Sequence, residues 1–145
     1  VGCGEGMVRV FELDYFNEVN SFCASEESVN EIIKHPSKPL LITTGKDGYI
    51  HFWKEDTFEK FRSIAAHNMT IYKLAISPDN KLAASVSRDK SIKLWEVDSF
   101  DILKKIDRRT DKGHTHSIND ISWINENEFF SAGDDRIIRR WKIGE

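Results

Sequence analysis

Residues 67–95 read HNMTIYKLAISPDNKLAASVSRDKSIKLW, from His67 to Trp95. Three short apolar runs are separated by two turns. The first turn is Ser77-Pro78-Asp79-Asn80, with Pro at the second position, where its fixed φ suits a type I turn. The second is Arg88-Asp89-Lys90. Leu82, Ala84 and Val86 alternate with smaller or polar residues, as do Ile92 and Leu94, which is the period of a strand. The stretch is therefore a strand-turn-strand-turn-strand unit. Alone it cannot bury its faces, so it requires neighbours.

The same chain supplies them. Asp47, Asp89 and Asp135 are each followed six residues later by Trp53, Trp95 and Trp141, and the tryptophans lie 42 and 46 residues apart. A period of about 40–45 residues with this content is the signature of a β-propeller blade. On Gly113-His114, Ser77-Pro78-Asp79, Ser85 four residues before Asp89, and Leu94-Trp95-Glu96, the chain resembles the WD-repeat family over nearly its whole length. The resemblance implies an all-β fold of four-stranded antiparallel blades, roughly three and a half of them from a seven-bladed ring.

Residues 1–24 read as a partial blade with weakened signature residues, Glu5 in the aspartate slot and Phe11 in the tryptophan slot. Full blades are expected at 25–66 and 67–113, and a blade lacking its outer strand at 114–145. Strands are expected over 7–13 and 16–24, then 29–34, 40–44, 49–53 and 58–65. Residues 100–106 form the outer strand of the next blade, and 118–123, 128–131 and 137–143 the strands of the last. This tally reads as the C-terminal half of a longer propeller. The competing arrangement is two copies closing one ring. The connection 107–113 is longer than its counterpart one blade earlier and reads as a solvated loop.

The apolar content of 39% and charged content of 31% are those of a soluble globular chain. A net charge of −3 weighs against a nucleic-acid surface as the main role. No apolar run approaches the ~20 residues of a membrane span. Cys3 and Cys23 are the only cysteines, too few for a disulfide framework. Free thiols suggest a reducing, cytoplasmic setting.

The resemblance also implies a buried hydrogen-bond chain in each blade. His67 would bond Asp89, with Ser85 and the Trp95 indole extending the chain; imidazole, carboxylate, hydroxyl and indole have complementary donors and acceptors. The same slots hold His114, Ser131, Asp135 and Trp141 in the last blade. The first full blade has Thr43, Asp47 and Trp53, but Ser25 stands where the histidine should be. In the partial blade the slots hold Val1, Glu5 and Phe11, and no network is expected. Ser85, His67 and Asp89 are the residue types of a hydrolytic triad, but the set recurs one blade later and no Gly-x-Ser-x-Gly elbow accompanies it, so its role is structural. No catalytic residue and no cofactor is assigned. His114-Thr115-His116 lacks further ligands at useful spacing, so no metal site is assigned. Arg140 occupies a slot that is Val10, Phe52 and Leu94 elsewhere, so it needs a carboxylate or an exit to water.

Function is then expected on the surface. The family resemblance points to a non-catalytic scaffold that binds a protein or peptide on the face carrying the loops before the innermost strand and between the second and third strands. By position these are Glu26, Ser28, Lys46, Met69, Thr70, Arg88, His116 and Asp134, with Tyr72 beside them. Arg88 leads, because arginine is a frequent hot spot. The rest of its own propeller would be a second partner. One alternative is an enzyme or metal-binding propeller whose active residues lie outside this segment. Another is a nucleic-acid binder using Lys104, Lys105, Arg108, Arg109 and Lys112, although acidic residues interrupt that run and no aromatic platform accompanies it.

Overall fold

The computed structural model describes residues 1–144. The described residues form thirteen strands and one short helix. The chain divides into two compact units, residues 1–66 and the residues from His67 onward.

The first unit holds two sheets. β1 (Met7–Phe11) pairs antiparallel with β2 (Glu18–Cys23), and a bridge from Gly2 to Val8 adds a short third line. The second sheet has the order β3 (Val29–Lys34), β4 (Leu40–Gly45), β5 (Tyr49–Lys54), β6 (Lys60–Ala65). Val8 and Ala24 pack against Val29 and Trp53, with Phe22, Ile32 and Leu41 at the margin.

The second unit repeats the plan. Its first sheet, the third of the chain, has β7 (Ile71–Ile76), β8 (Leu82–Ser87), β9 (Ile92–Glu96) and β10 (Ile102–Ile106) in sequence order. The fourth sheet has β11 (Ile118–Asn125), β12 (Glu128–Gly133) and β13 (Ile138–Lys142). Ala84, Val86, Ile92 and Leu94 of the third sheet bury themselves against Ile118, Ile121 and Phe129 of the fourth. Each of the larger side chains, Val, Ile, Leu and Phe, contributes roughly 1.5–3 kcal/mol when removed from water. The Trp123 indole donates to the Ala75 carbonyl (3.1 Å), tying β11 to β7. All sheets are antiparallel meanders of the propeller-blade type, because neighbouring strands are joined by short turns.

The turns carry a period of their own. Between the second and third strands the left-handed residue is Gly6, Gly48, Lys90 or Arg136. Before the outer strand it is Phe16, Phe58 or Phe100, each with φ between 53° and 58°. Phenylalanine rarely adopts this conformation. These phenylalanines therefore sit in turns, and the outer strands begin later than the sequence suggested, at Glu18, Lys60 and Ile102. Packing offsets the backbone strain at two of them: Phe58 stacks on Phe22 with centroids 5.1 Å apart, and Phe100 is buried beside Trp95.

The long connection forms one helical turn, α1 (Arg108–Asp111), where the sequence suggested a loop. Asp107 caps it by accepting from the Arg109 and Thr110 amides. Lys104 pairs with Asp111 (2.9 Å) and Lys105 with Asp107 (3.5 Å), so two of the five basic residues are matched by acids of the same segment.

Candidate functional site

The structure brings the blade residues together around one carboxylate per sheet. Its Oδ1 accepts from the amide two residues on: Tyr49 for Asp47 (3.0 Å), Ser91 for Asp89 (3.0 Å) and Ile137 for Asp135 (3.2 Å). An aspartate in this position closes the turn onto itself. The other contacts differ between the units.

In the third sheet, His67 Nδ1 lies 2.9 Å from Asp89 Oδ2 and Nε2 lies 2.7 Å from Ser85 Oγ. Trp95 Nε1 donates to the same Ser85 oxygen (2.9 Å), and Ser91 donates to Asp89 (2.6 Å). A carboxylate only accepts, so Nδ1 carries the proton, Nε2 accepts from Ser85, and Ser85 accepts from the indole. Every member is satisfied, and the His67 side chain is sealed from solvent. The fourth sheet repeats this. His114 Nδ1 is 2.9 Å from both oxygens of Asp135, Nε2 is 2.8 Å from Ser131 Oγ, and Trp141 Nε1 donates to Ser131 (2.8 Å).

The second sheet is wired differently. Trp53 Nε1 donates to Thr43 Oγ1 (2.9 Å). Ser25, in the histidine slot, donates to Asp47 Oδ2 (3.1 Å). The imidazole comes from the middle of β5: His51 Nε2 is 2.8 Å from Asp47 Oδ2, and Nδ1 is 2.7 Å from Ser63 Oγ on β6. His51 and Ser63 escaped the sequence reading. The signal was present: four residues after each turn acid stands Arg9, His51, Lys93 or Arg139, a basic series with the same period. In the first sheet Arg9 bonds Glu5 (2.6 Å) and Glu18 (3.1 Å). A polar network thus exists where none was expected, although it is solvent-exposed.

Burial works against the charge on Asp89, but the His67 contact and the Ser91 hydrogen bonds outweigh it and hold the pKa well below the carboxylate range. The pKa of Asp47 is lowered in the same way, burial being overcome by His51, Tyr49 and Ser25. Asp135 follows through His114 and the Thr115 amide.

On the loop face, backbone bonds tie the two loops of each blade together: Lys46 N–H to Ser28, Arg88 N–H to Thr70 and Asp134 N–H to Ser117. Ser87 Oγ adds a bond to the Thr70 carbonyl (2.8 Å). Lys46 pairs with Glu27 (3.5 Å), Asp134 accepts from Asn119 (2.6 Å), and His116 bonds Thr115 (2.8 Å). Glu26 and Met69 are exposed and Tyr72 is half-buried. Arg88 is exposed, and among the described residues its guanidinium has no hydrogen bond or ion pair. Arg140 projects to solvent and holds Glu128 with two bonds (3.1 and 2.5 Å). Among the described residues no group of three or more His, Cys, Asp and Glu is placed to hold a metal ion, and no helix is long and apolar enough to cross a membrane.

Comparison with known proteins accords with this geometry. The family of the WD domain, G-beta repeat (WD40), matches residues 16–54, 58–96 and 107–142. The chain belongs to the WD40 repeat family. Among solved structures it is similar to the computationally designed Ika4 protein, at 21% identity and a TM-score of 0.79, over 99% of this chain and 83% of that one. No curated protein matches it.

Proposed function

We propose that the chain is a protein-interaction module that uses its loop face, with Arg88 as the main anchor and Met69, Tyr72, His116 and Asp134 around it. Glu26 and Lys46 hold the corresponding positions in the first unit. WD40 repeats generally mediate protein interactions, which supports the class. The observation that carries the residue assignment is the state of Arg88: its amide donates to the Thr70 carbonyl, which Ser87 Oγ also bonds, while its guanidinium has no partner among the described residues. A guanidinium without a partner on its own chain suits a carboxylate-bearing partner, which it can bind with two parallel hydrogen bonds. The free thiols of Cys3 and Cys23 support a reducing, cytoplasmic setting.

Affinity capture with the wild-type chain, Arg88→Ala and Arg109→Ala tests the assignment. Arg88→Ala is expected to lose captured protein by tenfold or more (about 1.4 kcal/mol) with an unchanged melting temperature, while Arg109→Ala captures as wild type. Equal capture by all three would defeat it.

A further inference from the structure

The histidine of the second sheet differs from its two counterparts in what its second nitrogen faces. In the third and fourth sheets that nitrogen meets a serine which is fully buried and already accepts an indole hydrogen. In the second sheet it meets Ser63, which is exposed on the outer strand. Ser25, Glu26, Glu27, Asp47, Tyr49 and Lys60 complete a cleft of about 380 Å³ around the pair.

The proton assignment follows from the partners. Asp47 only accepts, so it keeps the His51 proton on Nε2 and leaves the Nδ1 lone pair for the Ser63 hydroxyl. Tyr49 stacks on the ring at 5.6 Å and holds its plane. An oriented carboxylate, an imidazole in a fixed tautomer and an accessible hydroxyl form a nucleophile-activating relay. The equivalent cross-strand pairs elsewhere are Arg9 with Ser21 and Lys93 with Lys105. Neither an arginine nor a charged lysine can accept a proton, so among these pairs only the second sheet combines a base with a hydroxyl.

We propose that Ser63 is an activated hydroxyl that accepts acyl groups from neutral, activated esters. Its oxygen forms the new ester bond to the acyl carbon, its proton passes to His51 Nδ1, and the bond from the acyl carbon to the leaving alkoxide or phenoxide breaks. The leaving group departs as its conjugate base or takes the proton from His51. Glu26 and Glu27 repel anionic donors, and Lys60 is the cation of the lining. This site shares Glu26 with the loop-face assignment above but does not rest on Arg88, so either can fail without the other.

The test uses p-nitrophenyl acetate with the intact chain, following p-nitrophenolate release and locating the acetyl group by peptide mass mapping. Acetylation of Ser63 is expected, absent in Ser63→Ala and slowed about a hundredfold, the contribution of one positioned base, in His51→Gln and Asp47→Asn. Ser85→Ala is a control for the buried serine and retains the wild-type Ser63 rate. Circular dichroism checks folding; if His51→Gln unfolds, Asp47→Asn decides. Acetyl groups found only on lysines, or Ser63 modified equally fast without its base, would overturn the proposal.

Discussion

The two units hold the same turn carboxylate from opposite sides. From His67 onward, a loop histidine reaches it from outside the strand, and the chain of bonds runs inward to a serine and an indole. In residues 1–66 the loop slot carries Val1 or Ser25, and the acid turns to the basic residue four positions on, Arg9 or His51. The inward route removes polar groups from water and must satisfy each of them. The outward route leaves solvent as a substitute partner. One carboxylate and one turn are thus compatible with a rigid internal strut in one unit and, in the other, a buried histidine whose serine partner is exposed.

The sharpest way to break this comparison is to remove the two histidines separately. His67→Ala leaves Asp89 and Ser85 short of partners in a sealed site and should cost roughly 3 kcal/mol, read from urea unfolding. A loss under about 1 kcal/mol would show that the inward chain is no strut.

Acid should act next. Asp47, Asp89 and Asp135 all ionise more readily folded than unfolded, so their stabilising contribution is complete above the unfolded carboxylate value near pH ~4. It is lost as pH falls through their lowered folded values. Unfolding midpoints should drop between about pH 5 and about pH 2, and less steeply in Asp89→Asn. A wild-type profile that is flat over this range would contradict the assigned pairing.

The smallest effect belongs to His51→Ala. Ser63 is already wet and Asp47 keeps Ser25 and the Tyr49 amide, so about 1 kcal/mol is expected. A cost equal to that of His67→Ala would erase the distinction between the units.

Much of this was legible in the chain. The 42-residue interval between Trp53 and Trp95 and the turn at Ser77-Pro78-Asp79 set the strands of the third sheet, because alternation and turn chemistry are local properties. The indole-to-hydroxyl bonds of Trp53, Trp95 and Trp141 follow the same interval. The basic series four residues after each turn acid marks the position of His51 but not its partners; Asp47 and Ser63 lie on either side of it only once the strands pair. Phe58 and Phe100 read as strand residues by propensity. Packing against Phe22 and beside Trp95 outweighs that preference and places them in left-handed turns.

The amino-acid sequence by itself determined the repeat, the strand count and the residues of the loop-histidine chains, since these depend on period and residue type. The tertiary structure decided which base serves which carboxylate and which hydroxyl remains open to solvent. Those outcomes depend on cross-strand register and burial, which bring residues such as Ser25 and Asp47 together across 22 positions of chain.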